Sequence, residues 1–278
     1  MMKKFVYALA VTGLMISLAP AFATMAQKPE TSQQPSSSIV HNLPKNATEV
    51  APDVLYLGQH KDNNGKLLDG YAIIDRRSAN AKPGNSAKPG GSSTCYAFLA
   101  SGAKWKTVEP YRFDANNADG LATTTIQLLL ANDLNKWESA AGVQIFGSQE
   151  PGPINAASIG NSANSVNEVV FGNITSSGVI AVTYAWGIFG GNPAGRVLSE
   201  WDMVINDVGF DWSADATGVT GKMDFENITT HETGHAAGLG HPSDSCADET
   251  MYRYADFGET KKRDLNPGDT TGVRSLYR

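Results

Sequence analysis

Basic residues are in the minority in this chain of 278 residues, and histidine and cysteine are scarce. Lys and Arg together number 22 against 28 Asp and Glu, which gives a formal net charge of −6 and a pI of about 5.4. A chain without a basic excess lacks the electrostatic footprint of nucleic-acid binding, so we expect no nucleic-acid partner. Beyond the N-terminus, no apolar run is long enough to predict a membrane span.

The N-terminus has the layout of a secretory signal peptide. Lys3 and Lys4 precede an apolar run over residues 5–18, and the small residues that follow offer cleavage sites. The alternative is an uncleaved membrane anchor, although the run is near the short end of what spans a bilayer. We expect residues 1–26 to be removed. A secreted or cell-surface monomer with no stable membrane insertion would remain.

The chain before Cys95 divides into three segments by composition. Residues 27–51 are rich in Gln, Ser, Pro, Thr and Asn, which predicts disorder. Residues 52–76 predict a β-hairpin around Asn64-Gly65 that docks onto the larger domain, and this hairpin is a candidate pro-region. Residues 77–94 contain two Pro-Gly pairs and predict a linker. The dibasic Arg76-Arg77 suggests a processing site, although such pairs are also common on solvated surfaces.

Residues 95–278 predict one α+β domain, because helical and strand patterns alternate along them. The predicted helices cover 121–141, 225–238 and 269–277, and the predicted strands cover 104–113, 168–171, 179–186 and 201–205. Such an order is typical of a mixed sheet packed against helices.

Residues 231–241 read HExxHxxGxxH without a departure. His231 and His235 are four residues apart, so on a helix they lie on one face and can hold one Zn²⁺. Gly238 ends that helix in a sharp turn, which returns His241 as a third ligand. Three protein ligands leave the fourth position for water, as is typical of a catalytic zinc site. Glu232 is then the candidate general base.

Two other interpretations of this motif do not involve catalysis. The histidines would be hydrogen-bonded residues of a helix surface, or they would form a metal site that has lost its activity. The unbroken eleven-residue pattern argues against the first interpretation, and the retained Glu232 argues against the second.

This motif and the features that follow it resemble the metzincins, and within them the matrixins. Met251 stands ten residues after His241, where metzincins have the Met-turn beneath the metal, and residues 269–277 are similar to the matrixin C-terminal helix. The resemblance covers 95–278. It implies a zincin/metzincin-like fold with a mixed, mostly parallel twisted sheet, an active-site helix and a C-terminal helix. It also implies one catalytic zinc ion and a polypeptide substrate, with residues 179–186 as the edge strand that pairs with an extended peptide.

The sequence departs from the matrixin pattern at two positions near the motif. Pro242 follows the third histidine where matrixins usually have serine, and Arg253 replaces a proline that helps to form the S1′ wall. The substrate preference therefore stays open. The remaining histidines, His41 and His60, lie in the N-terminal region, so we do not expect the second, structural zinc of animal matrixins.

Calcium is a second candidate cofactor. A glycine-rich stretch at 187–195 is followed by carboxylates of the kind that binds Ca²⁺, namely Glu200, Asp202, Asp207 and Asp211. The interpretation that we favour for these carboxylates is a solvated acidic surface.

The two cysteines, Cys95 and Cys246, have three interpretations. An even number in an exported protein indicates a disulfide first, and two free thiols are an alternative. Matrixin propeptides keep the enzyme latent with a thiolate at the zinc, which suggests a switch role for Cys95. The residues around Cys95 do not match the family's switch motif, so we favour the disulfide.

We expect a secreted zinc-dependent endopeptidase. The alternatives are a non-proteolytic zinc-binding surface protein and a zinc amidase that acts on cell-wall peptides.

Overall fold

The computed structural model describes residues 39–43, 47–78 and 94–278. The predicted signal peptide lies outside the described residues, as do most of the predicted linker and of the segment predicted to be disordered. In chain order, the strands are β1 (Val40–His41), β2 (Thr48–Ala51), β3 (Val54–Lys61), β4 (Leu67–Arg77), β5 (Ala97–Phe98), β6 (Glu109–Asp114), β7 (Phe146–Gln149), β8 (Asn167–Ile174), β9 (Val179–Ile188), β10 (Val197–Asn206), β11 (Trp212–Ser213), β12 (Met223–Asp224), β13 (Leu239–Gly240) and β14 (Tyr254–Ala255). The helices are α1 (Thr123–Ala141), α2 (Phe225–Ala236) and α3 (Pro267–Tyr277), with 3₁₀ turns at Ala156–Ser158, Pro193–Gly195 and Lys261–Arg263.

One large sheet has the strand order β2-β3-β4-β9-β10-β8-β6-β7. The half from β10 to β7 is parallel, and β9 runs antiparallel to β10. The N-terminal strands β2, β3 and β4 extend this sheet by antiparallel pairing beyond β9. The mixed sheet, the helix α2 that carries the motif and the C-terminal helix α3 confirm the predicted α+β metzincin-like fold.

The largest buried cluster lies between one face of this sheet and the helices α1 and α2. Trp137 of α1 is fully buried, and its indole N–H donates a 2.9 Å hydrogen bond to the carbonyl of Thr230 on α2. Trp105 donates in the same way to the carbonyl of Ala236, at 2.8 Å. A buried indole N–H needs such a partner, so these two bonds fix where α2 lies under the sheet. None of the helices in the described part of the chain is both long and apolar enough to cross a membrane.

The N-terminal region is more ordered than its composition predicts. Residues 48–51 pair with β3, and residues 40–41 pair with β8, although both stretches belong to the segment predicted to be disordered. Their backbone hydrogen bonds come from strands far along the chain, which a local composition does not reveal. The predicted strand over 104–113 is also shorter than expected: it begins only at Glu109, while Lys104 forms an isolated bridge to Val197.

The hairpin has its turn at Asp62–Lys66, between β3 and β4. The Asp62 carboxylate accepts hydrogen bonds from the backbone N–H groups of Asn64 and Lys66, at 2.9 and 2.8 Å. Gly65 has a φ of 79°, which a residue with a side chain rarely adopts. The strand β4 is eleven residues long, and its position against β9 means that β9 is not an edge strand. The resemblance implied that residues 179–186 are an edge strand that pairs with an extended peptide; in the described chain they are not at the edge, because the hairpin supplies the strand that pairs with them.

His41 of β1 gives a pH-dependent prediction for this region. Burial lowers the pKa of His41 from 6.5 to about 4. The folded state therefore favours neutral imidazole. The stability that this contributes is present above pH 6.5 and is lost as the pH falls from 6.5 towards 4. We expect NMR titration of the His41 ring to give a pKa near 4, and a value near 6.5 would show that β1 does not bury this side chain.

Candidate metal centre

Helix α2 begins and ends with local signals that place the motif. Asp224 caps its N-terminus, where the carboxylate accepts a 2.8 Å hydrogen bond from the Asn227 N–H. Past its C-terminus Gly238 has a φ of 100°, and a Cβ there would lie 2.9 Å from the carbonyl oxygen of Ala103. This tight glycine turn reverses the chain and carries His241 back over the helix.

The three motif histidines meet at their Nε2 atoms. The Nε2 of His235 lies 3.1 Å from that of His231 and 3.1 Å from that of His241. Two Zn–N bonds of about 2.0–2.1 Å at a tetrahedral angle separate their nitrogens by about 3.3 Å. The residues therefore fit one zinc ion, and these three form one of two groups of His, Cys, Asp and Glu among the described residues whose ligand atoms converge.

Backbone carbonyls orient two of these rings. The Nδ1 of His231 lies 2.7 Å from the Thr250 carbonyl oxygen, and the Nδ1 of His235 lies 2.9 Å from that of Leu239. A carbonyl can only accept, so the proton of each neutral ring is on Nδ1 and the Nε2 lone pair faces the centre.

Burial keeps the three rings neutral. It lowers the pKa of His235 to about 3. It also lowers the pKa of His231, with a further contribution from the Lys262 ammonium, and that of His241, with a further contribution from His235. Neutral imidazole is the form that binds a metal ion, so no protons have to be removed at neutral pH before zinc binds.

Glu232 lies on the side of this centre that faces β9. Thr183 of β9 donates a 2.5 Å hydrogen bond to Glu232 Oε2, while Oε1 is buried and has no hydrogen-bond partner among the described residues. Burial raises the pKa of Glu232 well above its ordinary value, and the nearby Asp75 carboxylate adds to this. In its ionised form Glu232 has one free oxygen, Oε1, with which to accept a proton, while Oε2 is held by Thr183.

Asp75 of β4 is the second carboxylate at this site. Ligand atoms of Asp75, His231 and Glu232 lie within 4.8 Å of one another. Asp75 is fully buried, its nearest cation is the Lys262 ammonium at 3.9 Å, and burial raises its pKa to about 7. Lys262 is also fully buried and donates to the Tyr252 carbonyl at 2.5 Å.

Met251 lies under α2, at the position predicted for the Met-turn. It is 2% exposed. A Cβ added to Gly234, one residue before His235, would lie 2.2 Å from the Met251 Sδ atom and 2.6 Å from the Trp137 ring. Only glycine at position 234 lets the methionine approach the helix between the two histidine ligands.

Cys95 and Cys246 form a disulfide that spans 151 residues of sequence. It ties the start of the domain to the segment before Met251, and closing so long a loop stabilises the fold by about 2–5 kcal/mol. In this bond Cys95 has no thiolate for a metal, so the switch role considered for it is not realised.

The carboxylates considered for calcium are mostly buried, which corrects the expectation of a solvated acidic surface. Glu200 and Asp202 are each 1% exposed, and Asp207 is 5% exposed. They accept backbone N–H groups instead: Glu200 from Asn164, for example, and Asp207 from Ala118 at 2.8 Å. Neither group of convergent ligand atoms in the described part of the chain includes one of these carboxylates.

Sequence reasoning missed Thr183, Asp75 and Lys262. Thr183 and Asp75 each lie in a largely apolar strand. A polar residue at a buried position of such a strand often has a functional role, and this was the feature of the sequence that could have indicated them. Lys262 stands in a run of basic residues and carried no such signal.

Comparison with known proteins supplies the family. The protein-family model described as Matrixin matches residues 104–278. Among curated proteins no match to the chain was found. The matched range contains the three histidines, Glu232, Met251 and the C-terminal helix. Matrixins are zinc-dependent metallopeptidases, and the histidine triad can hold the metal that such an enzyme requires. The match covers more than half of the chain, and the chain belongs to the matrixin family.

Proposed function

We propose that this protein is an exported zinc-dependent endopeptidase that cleaves peptide bonds within extended polypeptides. The observation that carries the proposal is the convergence of three neutral imidazole Nε2 atoms, with that of His235 lying 3.1 Å from each of the other two, beside the carboxylate of Glu232 on the residue that follows His231 in the same helix.

The side chains divide the reaction between them. His231, His235 and His241 would hold the zinc ion through Nε2. When bound, zinc polarises the scissile carbonyl and lowers the pKa of water to about 7. Glu232 takes the proton from the attacking water on Oε1 and passes it to the leaving amine nitrogen. The Thr183 hydroxyl holds Oε2 during both transfers, so the carboxylate keeps its orientation.

The same proposal assigns the segments of the chain. Residues 1–26 direct export, residues 52–76 belong to a pro-region, and residues 95–278 are the catalytic domain. The Cys95–Cys246 disulfide supports export, because disulfides persist in oxidising compartments.

Casein zymography tests the proposed activity. We expect a band of cleared casein that disappears when a zinc chelator is added and is absent for Glu232→Ala. The second candidate function is a non-proteolytic zinc-binding protein, which the complete burial of His231 and Glu232 favours. Binding of one zinc ion without cleavage of any polypeptide would support that second function against the first.

A further inference from the structure

The hairpin strand β4 lies where an extended peptide would pair with β9. Residues from Asp69 to Arg76 are antiparallel to residues from Val179 to Gly187, with Ile73 opposite Thr183. Addition of a strand to a sheet edge is a common way for a protein to bind an extended peptide. Without β4, the strand β9 would have such an edge beside Glu232.

Alternate side chains of β4 face the metal centre, as the two-residue period of a strand requires. Ile73 is fully buried directly opposite Thr183, whose hydroxyl binds Glu232. Tyr71 lines a cavity of about 570 Å³ together with His241. Asp75 lies against His231 and Glu232. The strand therefore crosses the whole centre, from the third histidine to the first.

The end of β4 also pairs with β14, on the side of β4 that faces away from β9. Arg76 and Arg77 pair in parallel with β14, which follows the Met-turn, and the Ser78 N–H donates to the Ala255 carbonyl at 3.1 Å. The Arg77 guanidinium lies 2.8 Å from the Asp256 carboxylate. One segment is thus hydrogen-bonded to β9 on one side and to β14 on the other.

An ion pair also holds the turn before β3 to the residue that directly precedes β14. Arg253 contacts the carboxylate of Asp53, in the turn between β2 and β3, at 3.2 Å. Arg253 also contacts Asp244 at 2.7 Å. Under this cover His231, His235 and Glu232 have no exposed surface. A polypeptide cannot reach them unless the hairpin moves.

We propose that residues 47–78 are an intramolecular inhibitor, in which β4 occupies the peptide-binding side of β9 and Asp75 is placed against the catalytic glutamate. The inhibitor is a strand that adds to the sheet, and Cys95 plays no part in it. The inference rests on the proposed function, because it takes the covered centre to be a peptidase site.

Gly70 allows a test that leaves the metal centre untouched. It lies on the other face of β4, and a Cβ there would be 2.3 Å from the buried Trp186 ring on β9. The added methyl group of Gly70→Ala therefore clashes with this ring and should weaken the packing of β4 against β9. Gly190→Ala is the matched control, because a Cβ at Gly190 has no atom within 4 Å. Arg77→Ala is a second hairpin variant. The Arg77 side chain is partly exposed, so its removal leaves no cavity in the core and does not cause the folding defect of a core substitution.

The readouts are the zinc content, the calorimetric affinity of the full chain for a peptide hydroxamate, and the rate of peptide hydrolysis. We expect Gly70→Ala to tighten hydroxamate binding and to speed hydrolysis by about tenfold or more, since the apparent affinity follows the fraction of open chains. Arg77→Ala should act in the same direction, and Gly190→Ala should match the wild type.

The outcomes separate the two proposals. Tighter hydroxamate binding by the hairpin variants without any hydrolysis would uphold the inhibitor and refute the peptidase. Equal hydroxamate affinity of wild type, Gly70→Ala and Arg77→Ala, at one zinc per chain, would overturn the inhibitor whether or not peptides are cleaved. If Gly70→Ala does not fold, the comparison of Arg77→Ala with the wild type decides.

Discussion

Replacing Glu232 by Gln in the chain opened by Gly70→Ala should lower kcat/KM for peptide hydrolysis by about 10²–10⁴-fold, the usual contribution of a positioned general base. Gln has the shape of Glu and can still accept the hydrogen bond from Thr183, but it cannot take a proton from water. The zinc content should stay at one ion per chain, because the three ligands are unchanged. Initial rates on a fluorogenic peptide and metal analysis of the same samples provide the measurement.

Glu226→Gln is the control for this substitution. Glu226 lies in the first turn of the same helix, where it pairs with Lys136 at 2.7 Å and does not contact the metal centre. Its replacement should leave the hydrolysis rate unchanged. If Glu232→Gln retained the activity of its parent chain, Glu232 would not be the base, and a different proton acceptor would have to be sought.

Removal of zinc should lower the melting temperature by about 5–11 °C. A ligand present at 100 times its Kd stabilises the folded state by about 2.7 kcal/mol, and each kcal/mol shifts the Tm of a domain of this size by about 2–4 °C. Calorimetric scans with and without chelator measure the shift. Added Zn²⁺ should restore the Tm, whereas Mg²⁺ should not, because Mg²⁺ prefers oxygen ligands.

Two histidine variants make this measurement specific. His235→Gln should have the low Tm already and should not respond to chelator. His60→Gln removes a histidine that packs on Trp186, at a ring distance of 5.3 Å, outside the metal centre. This variant should keep the full response to chelator. A wild-type Tm that chelator does not change would contradict a zinc site built into the fold.

Local sequence patterns predicted the parts of the site that lie close together in the chain. The spacing of His231, Glu232 and His235 fixes their arrangement because a helix has a known period, and Gly238 marks where the chain must turn. The periodic apolar residues likewise predicted α1, β9 and β10 to within a few residues at each end. These features depend on neighbours within a turn or two of the same element.

The parts that depend on distant pairing could not be predicted. Nothing in residues 67–77 specifies that their backbone pairs with residues 179–188, since any strand offers the same hydrogen-bonding groups. The covered edge of β9, the position of Asp75 beside Glu232 and the order of residues 48–51 all follow from that docking. Burial of Glu200 and Asp202 was also hidden, because their partners are backbone N–H groups far along the chain: Asn164, in the loop before β8, for Glu200 and Glu168, in β8, for Asp202.

The most direct test of the account is a zinc titration of the metal-free Gly70→Ala chain, followed by the rate of hydrolysis of a fluorogenic peptide. If the three histidines hold one catalytic ion, the rate should rise in proportion to added zinc up to one equivalent and then stay constant. A chain that binds zinc but shows no hydrolysis at any ratio, or a rate that still rises towards a second equivalent, would contradict it.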